Sequence, residues 1–194
     1  MGTNIFDWHT YASLNNNVLF ASYPRKYLDE YGYKNCEIHV GEWNPSTKYR
    51  GTLYDASNIL SNMIAMHSTP TDMMLYYDFR FWSSYCGPVT PITFKPFKAY
   101  YSFYAFGQLY ALGQCVECSS DTSGIYALAA TDGKKRGIVV VNNKDEEVTV
   151  TVNDQCADRD VKIYVTDEQN DFSETEKDIS NMNIHAYGFV FIEM

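Results

Sequence analysis

The sequence predicts an α/β portion of three parallel β/α units followed by an all-β, antiparallel β-sandwich portion. Three observations predict it. Strand-like and helix-like periodicities alternate β-α-β-α-β-α through residues 1–112, and alternation with intervening helices implies a parallel sheet with right-handed crossovers. After residue 113 the pattern changes to short strands separated by hairpin turns, the mark of an antiparallel sheet. The composition changes at the same place. Residues 1–112 carry 8 basic and 8 acidic side chains and 25 of the 31 aromatics, whereas residues 113–194 carry 7 basic and 16 acidic side chains and therefore the whole net charge of −9. Two such compositions indicate two structural units, 1–112 and 113–194, meeting at Gly113.

Each element has its own signal. Asn4–Tyr11 (NIFDWHTY) is a short, aromatic strand-like run. Asn17–Tyr31 reads as helix, with Pro24 marking a start or kink inside it and Gly32 as its stop. Glu37–Trp43 (EIHVGEW) is a strand, broken by Asn44-Pro45-Ser46. Leu53, Ala56, Leu60, Met63, Ile64 and His67 recur at helical spacing, so Gly51–His67 is an amphipathic helix. Met73–Phe81 (MMLYYDFRF) carries large side chains at every position, which predicts a strand buried on both faces. Pro96 stands where a first helical turn would be, and Phe97–Leu112 runs on as a very aromatic helix to Gly113. The later strands are Ile125–Ala130, Gly137–Asn142, Glu147–Asn153, Val161–Thr166 and His185–Glu193. Asp132-Gly133-Lys134 and Asn142-Asn143-Lys144-Asp145 are hairpin turns between them. The acidic run Asp167–Asp178 reads as a solvated loop. The three β/α units average about 37 residues, the module size of a (β/α) barrel. A closed eightfold barrel needs about 250 residues, so three units make a partial (β/α) barrel only.

Bulk properties narrow the function. A net charge of −9 argues against nucleic acid or an anionic membrane surface as partner. No apolar run approaches the roughly 18 residues of a membrane span. Met1-Gly2-Thr3-Asn4 carries no basic stretch leading into an apolar one, so no secretory leader is read at this start and the expected compartment is the cytoplasm. Cys115-Val116-Glu117-Cys118 has CxxC spacing, but no second pair completes a four-ligand zinc site. A redox CxxC opens a helix, and this one follows the end of one. The five cysteines, Cys36, Cys86, Cys115, Cys118 and Cys156, are read as free thiols in a reducing compartment, and neither metal nor cofactor is expected.

The residues suited to chemistry sit at strand ends. Strict alternation in Glu37–Trp43 puts Ile38, Val40 and Glu42 on one face, and Glu37, His39 and Gly41 on the other. Glu42 then stands at the carboxyl mouth of a parallel strand, where ligands bind in α/β sheets. Its alternative is a strand-end carboxylate that reaches solvent or pairs with Arg50. His9 and Tyr11 share a face at the end of the first strand, with Trp8 beside them. Asp78 and Arg80 share one at the end of the third, above Tyr76, where an ion pair within the strand is the alternative. Polar groups with aromatic neighbours at three successive strand ends suit a carbohydrate, which stacks its C–H faces on rings and needs acceptors for its hydroxyls.

These residues resemble a known family. Asn4–Tyr11, Leu28-Asp29-Glu30-Tyr31-Gly32 and Glu42-Trp43-Asn44 look like the sixth and seventh β/α units of retaining glycoside hydrolases similar to family 39, which includes β-xylosidases and α-L-iduronidases. Tyr76-Tyr77-Asp78 looks like the eighth strand. Lys95-Pro96 and Ala99-Tyr100-Tyr101-Ser102-Phe103 look like the last barrel helix, and residues 113–194 resemble the β-sandwich that follows it. The resemblance implies Glu42 as catalytic nucleophile and His9 and Tyr11 as walls of the sugar pocket. It implies Trp43 and Asn44 as flanking, positioning residues, and Tyr76 and Asp78 as further substrate-binding ones. It also implies that the chain begins at the sixth strand and lacks the acid/base Glu, which follows an Asn on the family's fourth. Glu37, after Asn35 and Cys36, points away from Glu42 under strict alternation and cannot replace it. The expected partners are a carbohydrate substrate and either a second copy, as a homodimer, or the missing N-terminal barrel half. The alternative is a non-catalytic carbohydrate-binding or assembly module, with Trp43, Trp82 and tyrosines as its platform.

Overall fold

The computed structural model describes residues 4–45, 48–79, 87–90, 92–153, 160–176 and 178–194. Ser46, Arg80, Phe81, Trp82, Cys86 and Cys156, which entered the expectations above, lie outside the described residues.

Strands β1 (Ile5–Thr10), β2 (Glu37–Trp43) and β3 (Met73–Tyr76) form a parallel sheet in that order. Helix α1 (Leu14–Glu30) starts a turn earlier than its apolar periodicity suggested. Tertiary hydrogen bonds account for the extra turn. Thr10 Oγ1 donates to Asn17 Oδ1 at 2.6 Å, and Asn17 Nδ2 donates to Asn62 Oδ1 at 2.8 Å, tying α1 to the end of β1 and to the next helix. Pro24 lies inside α1, and Gly32 follows it with φ +86°, a left-handed conformation that suits glycine.

Helix α2 (Leu53–His67) is capped by Thr52, whose hydroxyl accepts from the Asp55 N–H at 3.2 Å. It is buried over most of its circumference, including the polar Ser57, Ser61 and Asn62. Small residues allow helix α3 (Lys98–Leu112) to approach closely, and Ser102 Oγ donates to the Ala56 carbonyl at 2.7 Å. Pro96 precedes the helix rather than lying in it; Phe97 is the cap, and Gly113 ends α3 in the left-handed region at φ +84°.

The third strand departs from expectation. It ends at Tyr76, and Met73 and Leu75 are half exposed rather than buried. Only Met74 and Tyr76, on the helix side, join the core. The opposite face of the three-stranded sheet carries no layer among the described residues, so its apolar side chains stay open.

The remainder is antiparallel. Strands β4 (Gln114–Val116), β5 (Ile125–Thr131), β6 (Arg136–Asn142), β7 (Val148–Val150), β8 (Lys162–Thr166), β9 (Asp171–Thr175), β10 (Met182–Ile184) and β11 (Phe189–Glu193) follow in sequence. Six form one sheet, β4-β5-β6-β11-β8-β9, and β7 pairs with β10 in a smaller one. The acidic run is not wholly a loop: Asp171–Thr175 forms an edge strand on β8, because Phe172 stacks on Tyr164 at 5.1 Å and Lys98 Nζ meets Asp171 Oδ1 at 2.6 Å. Strands β4 and β10 had no expectation attached to them. The last expected strand begins at Phe189, not His185, and the one expected over Glu147–Asn153 shrinks to Val148–Val150.

Two cores result. The first joins Val40 and Trp43 of β2, Ile59, Leu60 and Met66 of α2, and Leu109 of α3 to Val139, Val141, Phe189 and Phe191 of the large sheet. Helices α2 and α3 are thus a layer between two sheets, and the core runs across the 112/113 division. The second core packs Ile138, Val140, Val190 and Ile192 against Met182, Ile184, Val148 and Val150 of the small sheet. Strands β6 and β11 are covered on both sides, which is why they read as unbroken apolar runs.

Candidate active site

The open face of the parallel sheet carries the site. Residues β1 and β2 pair as Trp8 with Val40, then His9 with Glu42 and Thr10 with Trp43, so Gly41 is an extra residue, a β-bulge. The bulge reverses the alternation beyond it. Ile38, Val40 and Trp43 face the helices, and Glu42 faces the other way with His39. This corrects the expectation that Glu42 shares the Ile38 and Val40 face. It also corrects the reason for setting Glu37 aside. Glu37 lies on the same face as Glu42, but five residues lower at about 3.3 Å each, roughly 16 Å away; a retaining carboxylate pair needs about 5–5.5 Å.

Gly41 lets the Asp7 carboxylate lie against the backbone of β2. A Cβ there would stand 2.6 Å from Asp7 Oδ2, inside any permitted contact.

Glu42 is the last residue but one of β2, with a side chain 36% exposed. Tyr11 Oη donates to its Oε2 at 2.7 Å, and His9 Nδ1 stands 3.6 Å from the same oxygen. The other face of the imidazole meets Asp7, with Nε2 to Oδ2 at 3.5 Å. His9 is therefore held between two carboxylates, one of them at the strand mouth. Asp7 was not singled out from the sequence, although the alternation that joined His9 to Tyr11 extends to it. Lower on β2, His39 Nε2 lies 2.9 Å from Glu37 Oε2. Arg50, the alternative partner for Glu42, places its charge beside Asp55 and Tyr76.

The other expected site residues lie behind the sheet. Trp43 is 1% exposed and sits in the first core, edge-on to Tyr76 at 5.2 Å. It does not reach the open face, because the bulge turns it inward. Tyr76 shares that side, packed also on Phe79 and Phe103. Asn44 is buried, and its Nδ2 donates to Tyr76 Oη at 3.0 Å and to the Tyr77 carbonyl at 2.9 Å, joining the ends of β2 and β3. Asp78 lies beyond the end of β3 and is buried. The structure thus brings Glu42, His9 and Tyr11 together, and gives Trp43, Asn44 and Tyr76 a supporting place.

A further carboxyl is buried near Arg50 and Tyr76. Asp55 is buried in the first turn of α2, where its Oδ2 accepts from the Gly51 N–H at 3.2 Å. Burial raises its pKa from 3.8 to about 6, opposed by the Gly51 hydrogen bond and the Arg50 charge. Burial, with the Asp55 and Asp78 charges, also raises the Tyr76 phenol, so that it stays neutral. Among the described residues no group of three or more His, Cys, Asp or Glu is placed to hold a metal. Cys36, Cys115 and Cys118 are free thiols, and among the described residues no helix is long and apolar enough to cross a membrane.

No protein-family profile matches the chain, and no curated protein does either. Solved structures do. A family 30 endoxylanase from Clostridium papyrosolvens aligns over 98% of this chain and 48% of its own, at 18% identity and a TM-score of 0.69. A family 39 β-xylosidase from Caulobacter crescentus aligns over 100% of this chain and 51% of its own, at 13% identity and 0.67. A family 44 endoglucanase from Clostridium acetobutylium aligns over 98% and 46%, at 13% identity and 0.65. At such identities the likeness is one of fold. The chain has a glycoside-hydrolase-like fold and spans about half the length of the solved chains it matches, and that fold is shared across families 30, 39 and 44.

Proposed function

We propose that this chain is the part of a retaining O-glycosidase that carries the nucleophile, and that Glu42 is that residue. The observation that carries the reading is the Glu42 carboxylate at the carboxyl mouth of a parallel strand, partly exposed and hydrogen-bonded by Tyr11 at 2.7 Å. Such a carboxylate attacks the anomeric carbon as the bond to the leaving oxygen breaks, and water then hydrolyses the glycosyl ester. The Tyr11 hydroxyl occupies Oε2, with His9 Nδ1 beside it at 3.6 Å, and leaves Oε1 to attack. The leaving oxygen needs a proton from a second carboxyl across the bond, which this reading assigns to a strand outside the chain. Glu42-Trp43-Asn44 supports a relation to family 39 in particular, with oligosaccharides as the substrate class.

The test is hydrolysis of aryl glycosides with good leaving groups, which need no proton. The expected result is slow turnover by the chain, abolished by Glu42→Gln, and no useful turnover of natural disaccharides, since a general acid is worth about 10²–10⁴-fold. Robust cleavage of an unactivated disaccharide that survives Glu42→Gln overturns the reading. A non-catalytic carbohydrate-binding or assembly module remains the second reading, because the half-exposed tyrosines of α1 offer stacking surfaces. Its platform cannot include Trp43, which is buried, and Trp82 lies outside the described residues. Oligosaccharide binding indifferent to Glu42→Gln would favour it.

A further inference from the structure

One side of α1 has no element packed on it among the described residues and is strongly aromatic. Phe20, Tyr23, Tyr27 and Tyr31 recur at spacings of three and four, one helical face, and all are half exposed or more. With Phe6 and Trp8 of β1 they enclose a groove of about 390 Å³. The groove lies along the edge of β1 that pairs with no strand among the described residues. An aromatic groove beside a free parallel edge is a docking surface for whatever continues the sheet.

We propose that this groove seats the helix of a further β/α unit, on a polypeptide that pairs its strand in parallel with β1. The proposal rests on the half-barrel reading above and names its partner's chemistry. Both crossovers in the chain, β1-α1-β2 and β2-α2-β3, put their helices on the Trp8 and Val40 side of the sheet. A strand added in parallel at the edge of β1, joined by a crossover of the same hand, lays its helix on that side too, between itself and β1. That is where the groove lies. The incoming helix must be amphipathic, with an apolar stripe against the tyrosine rings and polar groups at the rim for their hydroxyls.

A second copy of this chain fits less of the open surface. A twofold axis joining two β1 edges pairs them antiparallel and covers both grooves, but leaves the half-exposed Ile5, Met73 and Leu75 of the opposite face uncovered, along with the β3 edge that pairs with no strand among the described residues. A polypeptide that runs on from β1 around to β3 covers all of these at once. The solved chains of like fold are about twice as long as their aligned portion.

The test uses sedimentation velocity and calorimetric titration of the 194-residue chain against the polypeptide encoded directly upstream of its first codon in the source genome. The expected result is a one-to-one complex. Tyr23→Arg combined with Tyr27→Arg should weaken it by at least about 30-fold, the effect of charging the centre of an apolar interface. The same variant should keep the wild-type circular dichroism and melting midpoint, as both side chains are half exposed. Should it melt early, Phe6→Lys on β1 gives the same readout. Three results overturn the proposal: flanking DNA that encodes no run of β/α units, a complex indifferent to the groove variants, or a symmetric dimer of this chain that those variants dissolve. Glu42→Gln should leave the complex intact. A complex that hydrolyses no aryl glycoside removes the nucleophile and keeps the docking site, whereas Glu42-dependent hydrolysis without a complex does the reverse.

Discussion

Glu42 faces the open side of its sheet because Gly41 takes up one backbone position that β1 does not match. At that position the Tyr11 hydroxyl meets a carboxylate, a charge-assisted hydrogen bond of the stronger class. The bond holds Glu42 in one orientation for attack, so Tyr11→Phe should slow hydrolysis of activated aryl glycosides through lost positioning. Unchanged rates in Tyr11→Phe, with Glu42→Gln inactive, would remove Tyr11 from the mechanism. Asp55 makes a separate prediction about stability. The folded chain keeps its proton up to about pH 6, whereas the unfolded chain releases it near 3.8. Between those values the folded state binds more protons, so stability falls as pH rises, by about 3 kcal/mol across the window. Asp55→Asn should flatten that segment and raise the urea midpoint at pH 8 more than at pH 4. An equal shift at both pH values would show that Asp55 does not titrate as its burial implies.

At the scale of elements, strand β2 depends on the bulge. A methyl group at position 41 would displace the half-exposed Asp7 carboxylate from its place beside β2 and His9. Gly41→Ala should therefore leave the denaturant midpoint near wild type and separate Asp7 from His9, visible as reduced aryl glycoside turnover. Wild-type turnover in Gly41→Ala would show that Asp7 does not position His9. The glycine was a legible signal, since an isolated Gly inside a strand marks a bulge or a close approach; strict period-two counting overrode it. Helix α2 was legible from its apolar residues at helical spacing, and α3 from the Pro96 start, the aromatic run and the Gly113 stop. The first turn of α1 was not, because its support is a buried hydrogen-bond pair, Thr10 to Asn17 and Asn17 to Asn62, formed between residues up to 45 positions apart. Strand β9 was hidden by its acidic composition and is stabilised by Phe172 on Tyr164.

For the whole molecule, the charge boundary at Gly113 marks a change of architecture, while the packing crosses it. Val139, Val141, Phe189 and Phe191 share a core with α2 and α3, and Ser57 Oγ donates to the Asn142 carbonyl at 2.9 Å. A fragment of residues 1–112 would expose the sheet-facing side of both helices. It should be molten, with weak near-ultraviolet dichroism and strong dye binding, whereas the 194-residue chain should melt cooperatively. A sharply melting 1–112 fragment would make the first unit an independent domain.

The order and type of the first six elements, the parallel-then-antiparallel switch, and the strand-end positions of Glu42, His9 and Tyr11 followed from local periodicity and turn chemistry, which short stretches of chain carry in themselves. The face on which each strand-end residue lies did not. A single bulge exchanges Trp43 for Glu42, and it exists only in the pairing of β2 with β1. Burial of Trp43, Asn44 and Tyr76 likewise depends on α3 and on the opposite strand, contacts made at long range in sequence. Side-chain type is a local property, but whether a side chain meets the core or the open face is decided by register between strands, and register exists only once they pair.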